Sequence, residues 1–248
     1  MKVLVIGEIC VDKFVYCEAK RLSPEAPVPV LTPIKTIKNQ GMAGNTLANV
    51  KALAPEYYTM SLGQNEPITK TRYVEEKSNH MFLRVDEGET TITPFKWSMD
   101  IDVMIGQSDI VIVSDYNKGF LSNADLKEIG RKSKLSILDS KRRLTNDIVE
   151  AFTFVKLNES ERSNNPELQG NNIITTLGKK GAEYKNIIFE SPNPQDTIDV
   201  SGAGDTFTSA FIVKYFQLQD ESTAIKFANR KAAEVVSKRG VSTPTYEE

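Results

Sequence analysis

At 248 residues, 40% hydrophobic and 26% charged, the chain has the make-up of an ordinary globular protein, long enough for one well-buried α/β domain or two small ones. A formal charge of -2, with Lys and Arg scattered among nearly as many acids, leaves no clustered basic footprint for nucleic acid, and no apolar window is long enough to span a membrane. Cys10, Cys17 and the single His80 are too few for a disulfide framework, a His-based triad or the usual zinc constellations, so the expected setting is a reducing cytoplasm.

In chain order, Met1-Lys2 leads straight into Val3 to Ile6, an apolar run expected to form a first strand rather than a signal peptide. Pro27 to Lys38 fits no alternation of strand and helix. Leu47, Val50 and Ala54 then line one face of an expected helix. Ile68 to Asp86 reads as a hairpin turning near Lys77-Ser78-Asn79. In its second arm Met81, Leu83 and Val85 alternate with Phe82, Arg84 and Asp86, which gives one apolar and one charged face. The segments near 13–38 and 68–86 are expected to form either a small β lid over a ligand or an edge that extends the sheet.

Further on, Ile110 to Val113, Leu135 to Leu138, Phe152 to Leu157 and Ile173 to Thr176 are short β-branched runs separated by helical patterns. They predict a mostly parallel sheet. Ligands of such sheets lie beyond the carboxyl ends of the strands, which points to Gly7 to Asp12, Ser114 to Gly119, Asp139 to Lys141, Asn158 to Glu161 and Thr176 to Gly181. Closing helices are expected around Phe207, Ala210 and Phe211, and around Ala224, Phe227, Ala228, Val235 and Val236.

The chemistry concentrates at Asp199-Val-Ser-Gly-Ala-Gly-Asp205. Gly202, Ala203 and Gly204 stand at a helix start, where unpaired N–H groups and the positive dipole end suit a phosphoryl group. Asp205 in the first turn is placed either to accept a proton from an attacking hydroxyl or merely to complement the helix dipole. Asn158 to Glu161 has the spacing of a capping box, and Thr176-Leu-Gly178-Lys-Lys-Gly181 that of a Gly-bearing hairpin turn. The phosphate loop G-x-x-x-x-G-K-[ST] is absent. Arg72 and Arg84 of the hairpin, with Lys118 and Lys141 after core strands, are expected to converge on an acceptor phosphate. The competing reading pairs the two arginines with Glu75, Asp86 or Glu87 on a solvated hairpin.

These motifs together resemble the ribokinase-like carbohydrate kinases, whose signature D-x-x-G-A-G-D is similar to 199–205. The resemblance covers nearly the whole chain, 1–248 as one α/β domain: a mostly parallel sheet flanked by helices with a small β lid. It implies Asp205 as base, ATP and Mg2+ as cosubstrate and cofactor, and Glu161 of N-x-x-E ordering Mg2+ through water with Asn158. Thr176, Gly178 and Gly181 would lie along the nucleotide phosphates and Asn229 at the adenine, while Asp199 and 239–243 would hold a monovalent cation such as K+. Arg21-Leu-Ser-Pro-Glu-Ala-Pro-Val-Pro29, Gly41-Met-Ala-Gly-Asn45, Ser114-Asp-Tyr-Asn-Lys-Gly119 and Asp139-Ser-Lys141 resemble the heptose 7-phosphate kinase subgroup in particular. That resemblance implies a sugar or sugar phosphate bound by Asp12, Gly41 and Asn45, and a homodimer joined through the lid. Asn45 equally fits a helix N-cap. Met42 stands where the subgroup has Gly and narrows the expected pocket. The chain is also shorter than such relatives between Ala54 and Thr69 and between Glu161 and Asn171. The alternatives are another sugar or a nucleoside as acceptor, or a catalytically weak sugar-phosphate binding protein.

Overall fold

Strand and helix alternate along the chain in the order that a parallel sheet needs, as a computed structural model describing residues 1–192, 201–237 and 242–246 reveals. The elements are β1 (Lys2–Gly7), β2 (Ile9–Leu22), β3 (Pro29–Met42), α1 (Ala43–Leu53), β4 (Tyr58–Leu62), β5 (Ile68–Glu75), β6 (Met81–Glu87), α2 (Met99–Gln107) and β7 (Ile110–Asp115). There follow α3 (Asn123–Lys132), β8 (Ser136–Ser140), α4 (Asn146–Ala151), β9 (Phe154–Asn158), α5 (Glu159–Ser163), β10 (Ile173–Thr176), β11 (Ala182–Tyr184), β12 (Ile187–Phe189), α6 (Ala203–Leu218) and α7 (Glu221–Val236).

The main sheet has the order β12-β11-β10-β9-β8-β7-β1-β4, parallel from β10 to β4, with β11 and β12 added antiparallel at one edge. Successive side chains leave opposite faces of a strand, so each buried run feeds two cores. Val3, Val5, Ile110, Ile112, Ile137 and Phe154 meet α1, α6 and α7 on one side. Leu4, Ile6, Val111, Val113, Leu138 and Val155 meet α2, α3 and α4 on the other. Each such side chain contributes roughly 1.5–3 kcal/mol on burial, which fixes register because a slip of one residue would swap the faces. Among the described residues no helix is long and apolar enough to cross a membrane.

The second sheet, β3-β2-β5-β6, leaves the first at Glu8. Its long pair β2 and β3 runs antiparallel, with Pro33 on the edge strand where the register shifts opposite Cys17. A proline is tolerated there because an edge N–H has no partner to lose. The stretch from Pro27 that fits no alternation is therefore the end of a turn and the start of β3. The hairpin of β5 and β6 turns over 76–80, and Met81, Leu83 and Val85 on β6 stay 50%, 53% and 36% exposed. Phe152 ends α4 as its C-cap, so the strand expected from that residue starts at Phe154.

Candidate active site

Gly202 opens α6 with φ 85°, a left-handed conformation that glycine adopts without a Cβ penalty. The N–H groups of Ala203, Gly204 and Asp205 that follow have no intrahelical acceptor and sit at the positive end of a helix of 16 residues. Asp205 is buried, and both of its oxygens are held: Asn45 Nδ2 donates to Oδ2 at 2.8 Å, and the Tyr116 hydroxyl donates to Oδ1 at 3.2 Å. Burial first, and then the nearby Asp139 carboxylate, push its pKa up to about 6 against the Asn45 hydrogen bond and the Lys156 and Lys141 charges. Tyr116, itself raised well above the usual phenol range by burial and by Asp205, stays a proton donor. Asn45 is not the helix cap, because Met42 occupies the N-cap position of α1 with no side-chain cap bond.

Beneath the turn lies a buried ion pair. Lys156 on β9 donates to Asp139 Oδ2 at 3.0 Å, and Thr208 of α6 donates to the same oxygen at 3.2 Å. A Cβ built on Gly204 would stand 3.0 Å from Lys156 Nζ, so this ammonium lies directly under the helix start. Burial raises Asp139, but the Lys156 and Lys141 charges outweigh it and hold the carboxyl below its usual range. Asn158 and Glu161 do form a capping box: Asn158 Oδ1 accepts from Glu161 N–H at 2.8 Å, and Glu161 Oε2 accepts from Asn158 N–H at 2.7 Å. The remaining Glu161 oxygen accepts from Lys141 Nζ. Lys141 thus pairs with Asp139 and Glu161, between which its position directly after β8 sets it.

Tyr116, Asp139, Lys141, Lys156, Asn158 and Asp205 line a cleft of about 810 Å³ together with Thr176, Gly178, Gly181, Gly202, Ala203, Gly204 and Asn229. Its depth, its helix N-terminus and its lysines Lys141, Lys156 and Lys179 suit the phosphates of a nucleotide. Asn229 Nδ2 donates to the Phe189 carbonyl at 2.7 Å, tying α7 to β12 along one wall. Among the described residues no cluster of three or more carboxylate, thiol or imidazole side chains could hold a resident metal. Asp139 Oδ1, however, is buried without a hydrogen-bond partner. With Glu161 it would suit Mg2+ carried in on nucleotide phosphates, which takes one or two protein carboxylates.

On the opposite side, toward the second sheet, Asp12 pairs with Arg72, Arg84 with Asp86 at 2.7 Å, and Lys118 with Glu89 at 2.6 Å. Lys70 joins Glu89 at 3.2 Å. A Cβ on Gly41 would fall 2.1 Å from Asp12 Oδ2 and 2.6 Å from Cys10 Sγ, so only glycine lets the carboxylate lie there. Met42 is buried against Cys10 and Ile68. Asn45, expected to hold sugar hydroxyls, donates from its amide to Asp205, because as the third residue of α1 it faces α6.

Several residues of the site escape a reading of the sequence. Glu8, fully buried just past β1, accepts the N–H groups of Tyr116, Lys118 and Phe120 and so shapes their loop. Its signal is a lone carboxylate at the carboxyl end of an apolar strand. Asp115 takes a two-pronged bond from Arg142 at 2.6 and 2.7 Å and fixes the same loop from below. Lys156 shows as a charge inside an apolar run, and Tyr116 gives no signal beyond its motif. Asp199 lies outside the described residues, as do Arg239, Gly240 and Val241.

The profile of the pfkB family carbohydrate kinases matches residues 89–248. The bifunctional protein HldE of a Nitratiruptor species is 27% identical over 297 aligned positions, which take in 100% of this chain and 64% of that protein. The chain thus spans less than two thirds of this relative. Ribokinase from Thermotoga maritima matches in structure with a TM-score of 0.73 and 17% identity, over 96% of this chain and 94% of the other. Ribokinase of Arabidopsis thaliana, solved with ribose and ATP, gives a TM-score of 0.69 at 17% identity, over 98% and 95%. The fold is ribokinase-like.

Proposed function

The chain belongs to the pfkB family of carbohydrate kinases, and on that premise we propose that it transfers the γ-phosphoryl group of ATP to a hydroxyl of a sugar phosphate, with Asp205 as base. The observation that carries this reading is the carboxylate of Asp205 in the first turn of α6, next to N–H groups free to receive an anion and poised near pH 6. Asp205 accepts the proton of the acceptor hydroxyl as its oxygen bonds to the γ-phosphorus and the bond to the β-phosphate oxygen breaks. The N–H groups of Ala203 to Asp205, with the Lys156 charge beneath them, stabilise the negative charge that builds on the phosphoryl oxygens. Mg2+ bound to the nucleotide would neutralise part of the phosphate charge, with Glu161 and Asp139 facing its water shell. The second sheet acts as a lid that excludes water from the acceptor.

The acceptor we propose is a heptose 7-phosphate or a near relative. Its support is the charge on the acceptor side, where Lys70, Arg72, Arg84 and Lys118 face Asp12, Asp86 and Glu89, one cation in excess. A second reading, an unphosphorylated sugar, draws on the same pairs, since each of these cations already has a carboxylate partner. The two separate in kcat/KM for a heptose 7-phosphate and for the free heptose, in wild type, Arg84→Ala and Lys118→Ala. A phosphate acceptor predicts a preference for the phosphorylated sugar that each variant erodes. Equal efficiency on both sugars, or variants that lose both alike, favours the neutral acceptor.

A further inference from the structure

Met42 holds φ 56° and ψ -134°, a backbone conformation that a residue with a Cβ adopts only under strain. Such strain persists where the surroundings over-determine the residue. Here they do. The Met42 side chain is 3% exposed in a cluster with Cys10 and Ile68, and the ring of Tyr116 lies against that cluster. The same Tyr116 donates its hydroxyl to Asp205 Oδ1. On its other flanks the ring meets the ammonium groups of Lys70 and Lys141, each 5.7 Å from its centre. A ring packed against this cluster and flanked by charge is held where its hydroxyl meets the carboxylate.

We infer that Met42 is a positioning residue for phosphoryl transfer, filling the space beneath Tyr116 so that the phenol stays on Asp205 and the carboxylate keeps one orientation. The inference rests on the reading of Asp205 as base. Glycine at position 42 would relax the backbone and empty the space at once, so the two consequences of the side chain, strain and support, can be separated by experiment. Asp205 is faced by Asn45 from α1, Tyr116 after β7, Asp139 of β8, Lys141 after β8, Lys156 of β9 and, through the Coulomb field, Cys10 of β2. Cys10 and Lys141 titrate near 12 and Asp139 is held low, so of these shifted groups it is Asp205 that changes charge around pH 6.

The test uses the full chain as wild type, Met42→Gly, Met42→Ala, Tyr116→Phe and the double variant Met42→Gly/Tyr116→Phe. Met42→Ala empties the same space while keeping a Cβ, in case the glycine variant fails to fold. Thermal unfolding and the pH dependence of kcat are measured on each, with the KM for ATP. Losing the phenol donor destabilises the Asp205 anion, so the acid limb of the kcat profile is expected to move up by about one pH unit in Tyr116→Phe. Met42→Gly and Met42→Ala are expected to share that shift and a fall in kcat of about tenfold, with the KM for ATP unchanged. In Met42→Gly relief of strain offsets lost packing, so its Tm is expected to stay close to wild type. The double variant should be no worse than Tyr116→Phe alone. Folded Met42 variants with the wild-type acid limb, or a double variant whose losses add, would overturn the inference. The pH dependence of Tm reads the same titration without substrate. A wild type inert on every sugar would refute the base reading, whereas a Tm curve unmoved in the Met42 variants would refute the support of Tyr116.

Discussion

Asp205 carries opposite demands. A base works best with a pKa near the working pH, yet burying a charge costs stability. Its folded pKa of about 6 lies above the unfolded value, so the stabilisation it gives is complete below about pH 4 and is lost as pH rises through 6. A shift of two units corresponds to about 3 kcal/mol. Asp205→Asn is therefore expected to be more resistant to urea than wild type at pH 8, with the gain shrinking toward zero near pH 4; a gain independent of pH would contradict this origin. Glu8 contributes through hydrogen bonds: its carboxylate accepts the N–H groups of Tyr116, Lys118 and Phe120. Glu8→Ala leaves them unpaired at about 1–3 kcal/mol each and is expected to cost at least about 3 kcal/mol by urea denaturation. A loss below about 1 kcal/mol would mean that the loop finds other acceptors. At this scale the sequence was legible where a motif combines with a strand end or helix start, as at Gly202 to Asp205. It did not give the contacts of Tyr116 and Asn45 with Asp205, because that partner is 89 and 160 positions away and no local pattern records such a contact.

Among the elements, parallel strands were legible because both faces are buried and the runs Val3 to Ile6, Ile110 to Val113 and Ile173 to Thr176 are nearly all apolar. β2 was legible only as part of the expected β segment near 13–38 and not as a strand from Ile9, because it carries Asp12, Lys13, Glu18, Lys20 and Arg21 among its apolar residues and belongs to a sheet with solvent on it. β4 was missed as well: Tyr58–Leu62 is an edge strand with partly exposed residues and no strong period. The capping box at Asn158 and Glu161 and the expected metal role draw on the same carboxylate. Glu161→Gln is expected to raise the Mg2+ concentration needed for half-maximal turnover, and an unaltered Mg2+ titration would leave Glu161 as a cap alone. The apolar row Met81, Leu83 and Val85 on an edge strand is the kind of surface that a second copy covers. Light scattering is expected to give a dimer for wild type and a monomer for Leu83→Lys; a wild-type monomer at working concentration would contradict the dimer.

Over the whole molecule, the chain makes a complete three-layer frame from few residues. It passes from α1 to β5 through β4 alone, and from α5 to β10 without a further regular element. Its alignment with the Nitratiruptor relative runs over 297 positions, more than the chain contains, so the relative carries extra segments. The side chains bonded to Asp205, Asp139 and Lys156 come from outside the trimmed regions, whereas Asn165, within the second of them, donates to the Glu161 carbonyl at 2.8 Å. The order of motifs along the sequence was enough to anticipate this frame, because each motif closes a strand of one sheet. Of the second sheet's paired charges, Arg84 with Asp86 follows from the hairpin itself, as the competing reading has it, whereas Arg72 with Asp12 depends on the register between β2 and β5. The account stands or falls with ATP turnover. Wild type and Asp205→Asn are compared for ADP release on a panel of sugars and sugar phosphates, with nucleotide binding measured alongside. The expected result is ADP formed in step with a phosphorylated sugar by wild type, and a loss of about 100-fold or more in Asp205→Asn with nucleotide affinity nearly unchanged. Undiminished turnover in a folded Asp205→Asn, or no turnover by wild type on any sugar, would contradict it.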